Sequence, residues 1–215
     1  MATKDLAGLR KEFTRGGLAP ENLATDPRQQ LQLWLDEAIA VEHTEPNAMT
    51  LATAGADGRP HARVVLLKGL EEGGLVFYTN YQSAKGREMA ENPWVSVLFF
   101  WPLLERQVRV EGKVQQLPSE LSDAYFASRP RASQLGAWAS PQSEEVSAYE
   151  VLEQRFREVE ERFKGRPVPR PPHWGGYLLV PDSYEFWQGR PGRLHQRYRY
   201  VSSEGSDWRR EVLAP

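Results

Sequence analysis

Cysteine is absent from the 215 residues, which removes disulfides, thiolate metal sites, iron–sulfur clusters and cysteine nucleophiles from consideration. Histidine is nearly as scarce. The four, His43, His61, His173 and His195, are isolated from one another and from paired carboxylates, so no metal site is expected. No apolar run approaches membrane-spanning length, and the N-terminal Met1-Ala2-Thr3-Lys4-Asp5 has no apolar signal core, so the expectation is a cytoplasmic protein. There is also no excess of one charge: 27 Lys and Arg against 29 Asp and Glu leave a formal net charge of −2. Nucleic-acid or membrane binding through a general basic field is therefore not expected, and any anion site must be local. A glycine-rich dinucleotide or P-loop fingerprint is missing, as is an identifiable Ser/His/Asp arrangement. What is present, 40% hydrophobic and 26% charged residues, suits a globular protein with a sizeable core.

The chain alternates between two textures. Asp26-Pro27 starts a helix in which Leu31, Trp34, Leu35, Ala38 and Ile39 recur at helical spacing to about Val41. From Ala48 short β-rich runs follow: Ala48 to Thr53, Arg63 to Leu67 and Leu75 to Thr79, with turns at Asp57-Gly58 and Glu72-Gly73-Gly74. A short helix from Ser83 to Glu91 precedes strands at Trp94 to Phe100 and Gln107 to Gln115. This spacing suggests a closed or nearly closed antiparallel barrel. Helices are then expected from Pro118-Ser119 to Arg129-Pro130 and from about Glu144 to Phe163, and the four prolines of Gly165 to Pro172 make a linker or extended wrap. Tyr177 to Val180, Tyr184 to Trp187, Arg193 to Val201 and Trp208 to Leu213 read as strands, with Ser202 to Ser206 as a hairpin loop.

Three clusters carry chemistry. If Arg193 to Val201 is a strand, Arg193, His195 and Arg197 alternate onto one face, where their mutual repulsion needs a phosphate, a carboxylate or an electron-rich ring among them. The same pattern also suits a solvated edge strand. The second cluster is Arg63-Val64-Val65-Leu66-Leu67-Lys68, followed by Tyr78-Thr79 and the helix start Ser83-Ala84-Lys85. A Ser cap with a first-turn Lys is a phosphate seat or an ordinary capped helix. The third is Tyr125 and Arg129, one helical turn apart, with Arg131 and Ser133 beyond Pro130: a grip on a phosphorylated ring, or an Arg placed for the helix dipole. Cations, aromatics and hydroxyls suit a phosphorylated planar cofactor better than hydrolysis.

With these residues in place, the whole chain resembles the pyridoxine/pyridoxamine 5′-phosphate oxidase family. The segments that carry the likeness are Arg63 to Lys68, Phe77 to Asn80, Glu105 to Val108, Tyr125 to Pro130, Ser133 to Trp138, Trp174 to Gly176, and Phe186 to Gly189 with Arg193 to His195. The resemblance implies a mainly β fold with peripheral helices, an antiparallel, Greek-key-like, FMN-binding split β-barrel in a single domain over residues 1–215. Its parts would be an N-terminal helical lid (about 1–45), a barrel core (46–117), a helical segment (118–165) and C-terminal strands (174–215). It also implies a homodimer with two FMN sites built from both subunits, and no nucleic-acid or membrane partner. The family oxidises pyridoxamine or pyridoxine 5′-phosphate to pyridoxal 5′-phosphate and passes the electrons through FMN to O2, giving H2O2. By resemblance Arg63, Val64, Val65, Leu66, Leu67, Lys68, Tyr78, Thr79, Ser83, Lys85, Gln107, Gln142, Ser143, Trp187 and Arg197 contact FMN. Lys68, Tyr125, Arg129 and Ser133 hold the substrate phosphate, Arg193 and His195 lie over the pyridine ring as the catalytic pair, and Arg10 is available at the N-terminal side.

The chain departs from the family pattern at three positions. Ala84 stands where an Arg usually grips the FMN phosphate, which implies weaker FMN retention. Phe13 replaces a Tyr found in some members, and Gln196 replaces the usual acid between His195 and Arg197. Two other functions stay open at this level: a same-fold FMN oxidase for another reduced heteroaromatic such as a phenazine precursor, and a non-catalytic flavin- or pyridoxal-phosphate-binding protein. Lys68, Tyr125, Arg129, Ser133, Arg193 and His195 together favour the vitamin B6 substrate.

Overall fold

The computed structural model describes residues 6, 8–9, 12–41, 44–71, 73–202 and 207–215. In chain order the elements are α1 (Pro27–Val41), β1 (Ala48–Ala54), β2 (Pro60–Leu66), β3 (Gly69–Glu71), β4 (Gly74–Asn80), α2 (Ala84–Glu91), β5 (Trp94–Trp101), β6 (Arg106–Gln116), α3 (Ser119–Ser128), α4 (Arg131–Ala139), α5 (Tyr149–Arg162), β7 (Trp174–Gln188), β8 (Gln196–Ser202) and β9 (Trp208–Leu213). The hydrogen-bonded strand order is β2-β1-β5-β6-β7-β4-β3, with β8 pairing β7 and β9 pairing β8. By internal contacts the chain forms two compact units: Met1–Asn47 with Leu98–Val110 and Asp182–Pro215, and Ala48–Val97 with Glu111–Pro181.

In the unit containing Ala48–Val97, β1 and β2 pair antiparallel from Ala48↔Leu66 to Ala54↔Pro60, and β4 pairs β7 from Leu75↔Leu179 to Asn80↔Trp174. β1 alternates buried and half-buried positions, as a strand with one core face should, and its Met49 and Leu51 are fully buried. Phe77 stacks on Tyr177 with ring centroids 5.6 Å apart. A second apolar cluster joins Phe126, Leu135, Phe163, Val168 and Trp174, binding the helices to the start of β7.

The other unit is built on α1. The face of α1 carrying Leu31, Trp34, Leu35 and Ala38 is buried; Trp34 meets Phe186 edge-on at 5.2 Å, and Phe186 in turn meets Tyr200 at 5.6 Å. Arg106 lies 4.3 Å over the Trp34 ring and pairs with Glu37, so the guanidinium covers the rim of this core. β7, β8 and β9 form an antiparallel ladder here, from Ser183↔Val201 to Gln188↔Gln196 and from Arg197↔Leu213 to Ser202↔Trp208.

Four sequence expectations change. α5 begins at Tyr149, not Glu144, because Ser143 has φ 72° and Ala148 is extended. α4 was not anticipated. Arg129 is held extended (φ −70°, ψ 150°), as a residue before proline prefers, so the chain breaks at Arg129-Pro130 and restarts as a new helix. The two strands expected around Pro181 are one, β7: its first half pairs β4 and its second half β8, and Pro181 falls between those two ladders. Arg193 is not in a strand. Pro191–Arg193 is a 3-10 turn with Gly192 at φ 64° and Arg193 at φ 63°, and β8 starts at Gln196. Strict alternation of Arg193, His195 and Arg197 on one strand face therefore does not hold. Of the expected hairpin loop, positions 203–206 lie outside the described residues.

Candidate active site

Within the unit containing Ala48–Val97, β2, β4, the start of α2, the α3–α4 corner and the loop after α4 enclose a cavity of about 940 Å³. β2 stands at one end of the strand order, and Arg63, Val64, Val65 and Leu66 all contribute to the lining. Leu67 turns into the core at 5% exposure. Lys68 lines the cavity, its N–H donating to the Val76 carbonyl at 2.8 Å.

The floor near α2 is cationic. Ser83 caps the helix, its hydroxyl accepting from the Gly86 N–H at 3.3 Å, and Lys85 in the first turn is buried. The turn is tight: a Cβ on Gly86 would lie 2.2 Å from the Tyr81 carbonyl oxygen, so only glycine lets α2 start so close to β4. Lys85 Nζ donates to Ser83 Oγ at 3.4 Å and to Gln142 Oε1 at 3.2 Å; Thr79 Oγ1 reaches the same Gln142 oxygen at 3.5 Å. Burial, and then the charge of Arg63, pushes the Lys85 ammonium below its ordinary pKa, with Glu88 opposing. An anion in the cavity would relieve both effects. Ser143 lines the cavity beside Gln142, at positive φ.

At the α3–α4 corner, Tyr125 stacks on Tyr78 at 3.9 Å between centroids, with Trp174 parallel to Tyr78 at 5.5 Å. The Arg129 guanidinium lies 4.5 Å over Trp174, and its Nη1 is buried without a hydrogen-bond partner among the described residues. Burial lowers its pKa, with Tyr125 opposing. Such a nitrogen is a donor waiting for an acceptor, since an unmade buried hydrogen bond costs about 1–3 kcal/mol. Ser133, in the first turn of α4, lines the same cavity. Sequence reasoning did not single out Asn80, Gly136, Ala137, Ser140 and Trp174 as lining residues. Small residues on α4 at Gly136-Ala137 and the Trp174-Gly175-Gly176 run were the available signals.

The remaining expected residues belong to the other unit. The His195 ring packs 4.7 Å from Trp187 and 5.3 Å from Phe13, with Arg193 5.9 Å over the Phe13 ring. A Cβ on Gly189 would lie 2.6 Å from the Phe13 ring, so the glycine makes room for it. The Arg190 N–H donates to His195 Nδ1 at 3.2 Å, which places the proton of the neutral ring on Nε2. Burial, then Arg193, lowers the His195 pKa, which favours that neutral form. Arg197 Nε donates to the buried Glu185 carboxylate at 2.8 Å, and Glu185 also takes Arg109 at 2.7 Å. Arg197 is therefore compensated, not part of a bare cation trio. The Gln196 amide accepts from Leu18 N–H at 2.6 Å and donates to Leu18 C=O at 3.0 Å, a two-way bond that a carboxylate could not make. Gln107 is half-buried in β6 of this unit. Arg10 lies outside the described residues.

An antiparallel sheet carrying a cavity with two under-compensated cation centres and a stacked aromatic wall defines a binder of phosphorylated planar rings. The family described as Pyridoxamine 5′-phosphate oxidase matches residues 35–163, and the Pyridoxine 5′-phosphate oxidase C-terminal dimerisation region matches residues 174–215. Proteins named pyridoxine/pyridoxamine 5′-phosphate oxidase from Rubrobacter xylanophilus and Cupriavidus necator are 58% and 53% identical, over 100% and 98% of this chain and 98% and 99% of their own length. The crystal structure of PhzG from Burkholderia lata 383 in complex with tetrahydrophenazine-1-carboxylic acid superposes with a TM-score of 0.86 at 34% identity, covering 92% of this chain and 98% of that one. The chain belongs to the pyridoxamine 5′-phosphate oxidase family and has its split-barrel fold. Among the described residues, no helix is long and apolar enough to cross a membrane.

Proposed function

We infer that the chain is an FMN-dependent oxidase that converts pyridoxamine 5′-phosphate or pyridoxine 5′-phosphate to pyridoxal 5′-phosphate, with dioxygen reduced to hydrogen peroxide. It is an oxidoreductase of vitamin B6 metabolism and FMN is its cofactor. The observation that carries the substrate reading is the pairing, in one cavity, of two separate phosphate-seeking centres: buried Lys85 near Arg63, and Arg129 with its unpartnered Nη1. A cofactor and a substrate that each carry a phosphate need two such centres.

The residues fit FMN. Arg63 and Lys85 would hold its phosphate at the α2 start that Ser83 caps, the Ser83 hydroxyl itself donating to the Asn80 carbonyl at 2.7 Å. The β2 residues Val64 to Leu66, with Leu67 backing them from the core, and Tyr78, Thr79, Gln142 and Ser143 would hold the rest of the molecule, and Gln107, Trp187 and Arg197 are assigned to the same cofactor. When bound, FMN supplies the redox chemistry: acceptance of a hydride equivalent from the substrate C4′ carbon and its passage to dioxygen. Lys68, Tyr125, Arg129 and Ser133 would take the substrate phosphate, Arg10 is assigned to substrate binding, and Arg193 and His195 would orient the pyridine ring. The match to a dimerisation region supports a homodimer. Flavin sites completed by the second subunit are part of this reading, supported by Val64, which lines the cavity yet is 65% exposed. The reading carries with it the cytoplasmic location expected from composition.

The relative crystallised with tetrahydrophenazine-1-carboxylic acid motivates a second reading, oxidation of a reduced phenazine. That ligand carries a carboxylate and no phosphate, which leaves the Tyr125, Arg129 and Ser133 grip without its matching group. Purified, FMN-reconstituted protein given pyridoxamine 5′-phosphate should consume oxygen in step with appearance of the aldehyde. A yellow protein that consumes none would sink the oxidase reading for this substrate. Ala84 sits at the first position of α2 on the cavity wall, while the Arg87 guanidinium is engaged by the Gln82 carbonyl. Ala84→Arg should therefore tighten FMN by about ten- to a hundredfold, the worth of one charge-assisted bond. Flavin fluorescence titration of the apoprotein measures it, and unchanged affinity would show the phosphate already saturated.

A further inference from the structure

Arg63 reaches the cavity from β2, a strand whose side chains are mostly exposed, yet its guanidinium is held from behind. Nη1 donates to the Thr53 hydroxyl and to the Leu51 carbonyl at 3.4 Å, and Nη2 donates to Glu88 Oε2 at 3.3 Å. The Thr53 hydroxyl in turn donates a hydrogen bond to the same Glu88 oxygen, and His61 Nδ1 lies 2.9 Å from Oε1. Three of the five guanidinium N–H groups are thus directed into the protein, and among the described residues Nε and one Nη2 hydrogen have no partner. Glu88 itself, one helical turn after Lys85, does not line the cavity. Burial opposes its charge, but the Thr53 hydroxyl, Arg63 and His61 outweigh burial and hold its carboxyl below the ordinary range.

We propose that Glu88 is a positioning residue for flavin binding: through Thr53 and its own carboxylate it locks Arg63 in the rotamer that presents the free N–H pair to the cofactor phosphate. The proposal rests on the FMN reading above. An arginine loses much rotamer freedom when it grips an anion, and a lock formed before binding removes that cost from the binding step. Such a lock matters more here because Ala84 offers no second guanidinium at the start of α2. Charge alone predicts the opposite outcome. Removing a carboxylate beside Arg63 and Lys85 makes the cavity more positive and should tighten an anion. The sign of the effect therefore separates positioning from bulk electrostatics.

The experiment titrates apoprotein with FMN and with riboflavin, which lacks the phosphate, following flavin fluorescence. Glu88→Gln should weaken FMN by about three- to tenfold, the scale of ordering one long side chain, and leave riboflavin unchanged. In an Arg63→Met background the same substitution should no longer weaken FMN, and the added positive charge around Lys85 should leave affinity unchanged or slightly tighter. Thr53→Val keeps the Glu88 charge, removes the hydroxyl link and should weaken FMN in the same direction, which also covers a Glu88 variant that fails to fold. Unchanged or tighter FMN in Glu88→Gln alone, equal weakening of riboflavin, or a weakening that persists without Arg63 overturns the proposal. Wild-type protein that binds no FMN removes the cofactor reading and this one together, whereas a protein that binds FMN but consumes no oxygen counts against the oxidase alone and leaves the titrations decisive.

Discussion

Arg129→Met is expected to raise the KM for pyridoxamine 5′-phosphate by about ten- to a hundredfold while kcat and flavin content stay near those of the parent protein. The guanidinium lies over Trp174 at 4.5 Å with Nη1 buried and unpartnered among the described residues, so the site keeps a desolvated donor ready for an acceptor. A phosphate arriving there gains a charge-assisted bond without first stripping water from the donor. Because that bond forms to a part of the substrate remote from the reacting carbon, it acts alike on the bound substrate and the transition state, and its loss should fall on KM. Stability should change little. The lost cation–π contact, about 0.5–2 kcal/mol, is opposed by removal of the unsatisfied nitrogen, and methionine fills the same slot against the ring. Comparing pyridoxamine 5′-phosphate with dephosphorylated pyridoxamine gives the control: Arg129→Met should shrink the KM gap between them. A fall in kcat with KM unmoved would place Arg129 outside the phosphate grip.

How much of this was legible in the sequence follows from how local each signal is. The strand and helix order from α1 to α3, apart from the three-residue β3 (Gly69–Glu71), was readable because apolar spacing and Pro or Gly punctuation are properties of neighbouring residues; Ser83 before Lys85 gave the α2 cap directly. α4 escaped because a nine-residue helix interrupted by Gly136 has too weak a period, and because Arg129-Pro130 looked like an end and not a corner. Arg193 misled for a similar reason. Tyrosines downstream favoured a strand, but Pro191-Gly192 forced a turn that carries Arg193 itself to positive φ. Within the site, the residue types of Arg63, Lys85, Tyr125 and Arg129 announced an anion pocket. Their state of compensation did not: that Arg197 is satisfied by Glu185 while Arg129 keeps a bare nitrogen depends on partners 12 residues away in one case and on the packing around Trp174 in the other. Gln142 and Ser143 carried no local signal at all, since their contribution comes from a loop folded back onto Lys85.

Arg193→Met is expected to lower kcat by about a hundredfold with FMN occupancy retained. Arg193 is exposed at the end of a 3-10 turn, holds a positive φ that a non-glycine residue adopts only at some cost, and lies over Phe13 beside His195. The proposed role of Arg193, orienting a bound pyridine ring, calls for an exposed cation of this kind beside His195. Its charge also acts on its neighbour. With burial, it holds the His195 pKa below the ordinary histidine value, so removing it should raise that pKa. If the neutral ring, with its proton on Nε2, is the working form, the acid limb of the kcat profile moves to higher pH in Arg193→Met, and activity is lost sooner as pH falls. Arg193→Lys separates the two roles: it retains the charge, and with it the parental acid limb, but lacks the planar fork and should still turn over slowly. Flavin content measured in parallel decides the assignment. A variant that loses FMN and turnover together would make Arg193 part of the cofactor seat, and an acid limb that stays put in Arg193→Met would remove His195 from the proton-sensitive step.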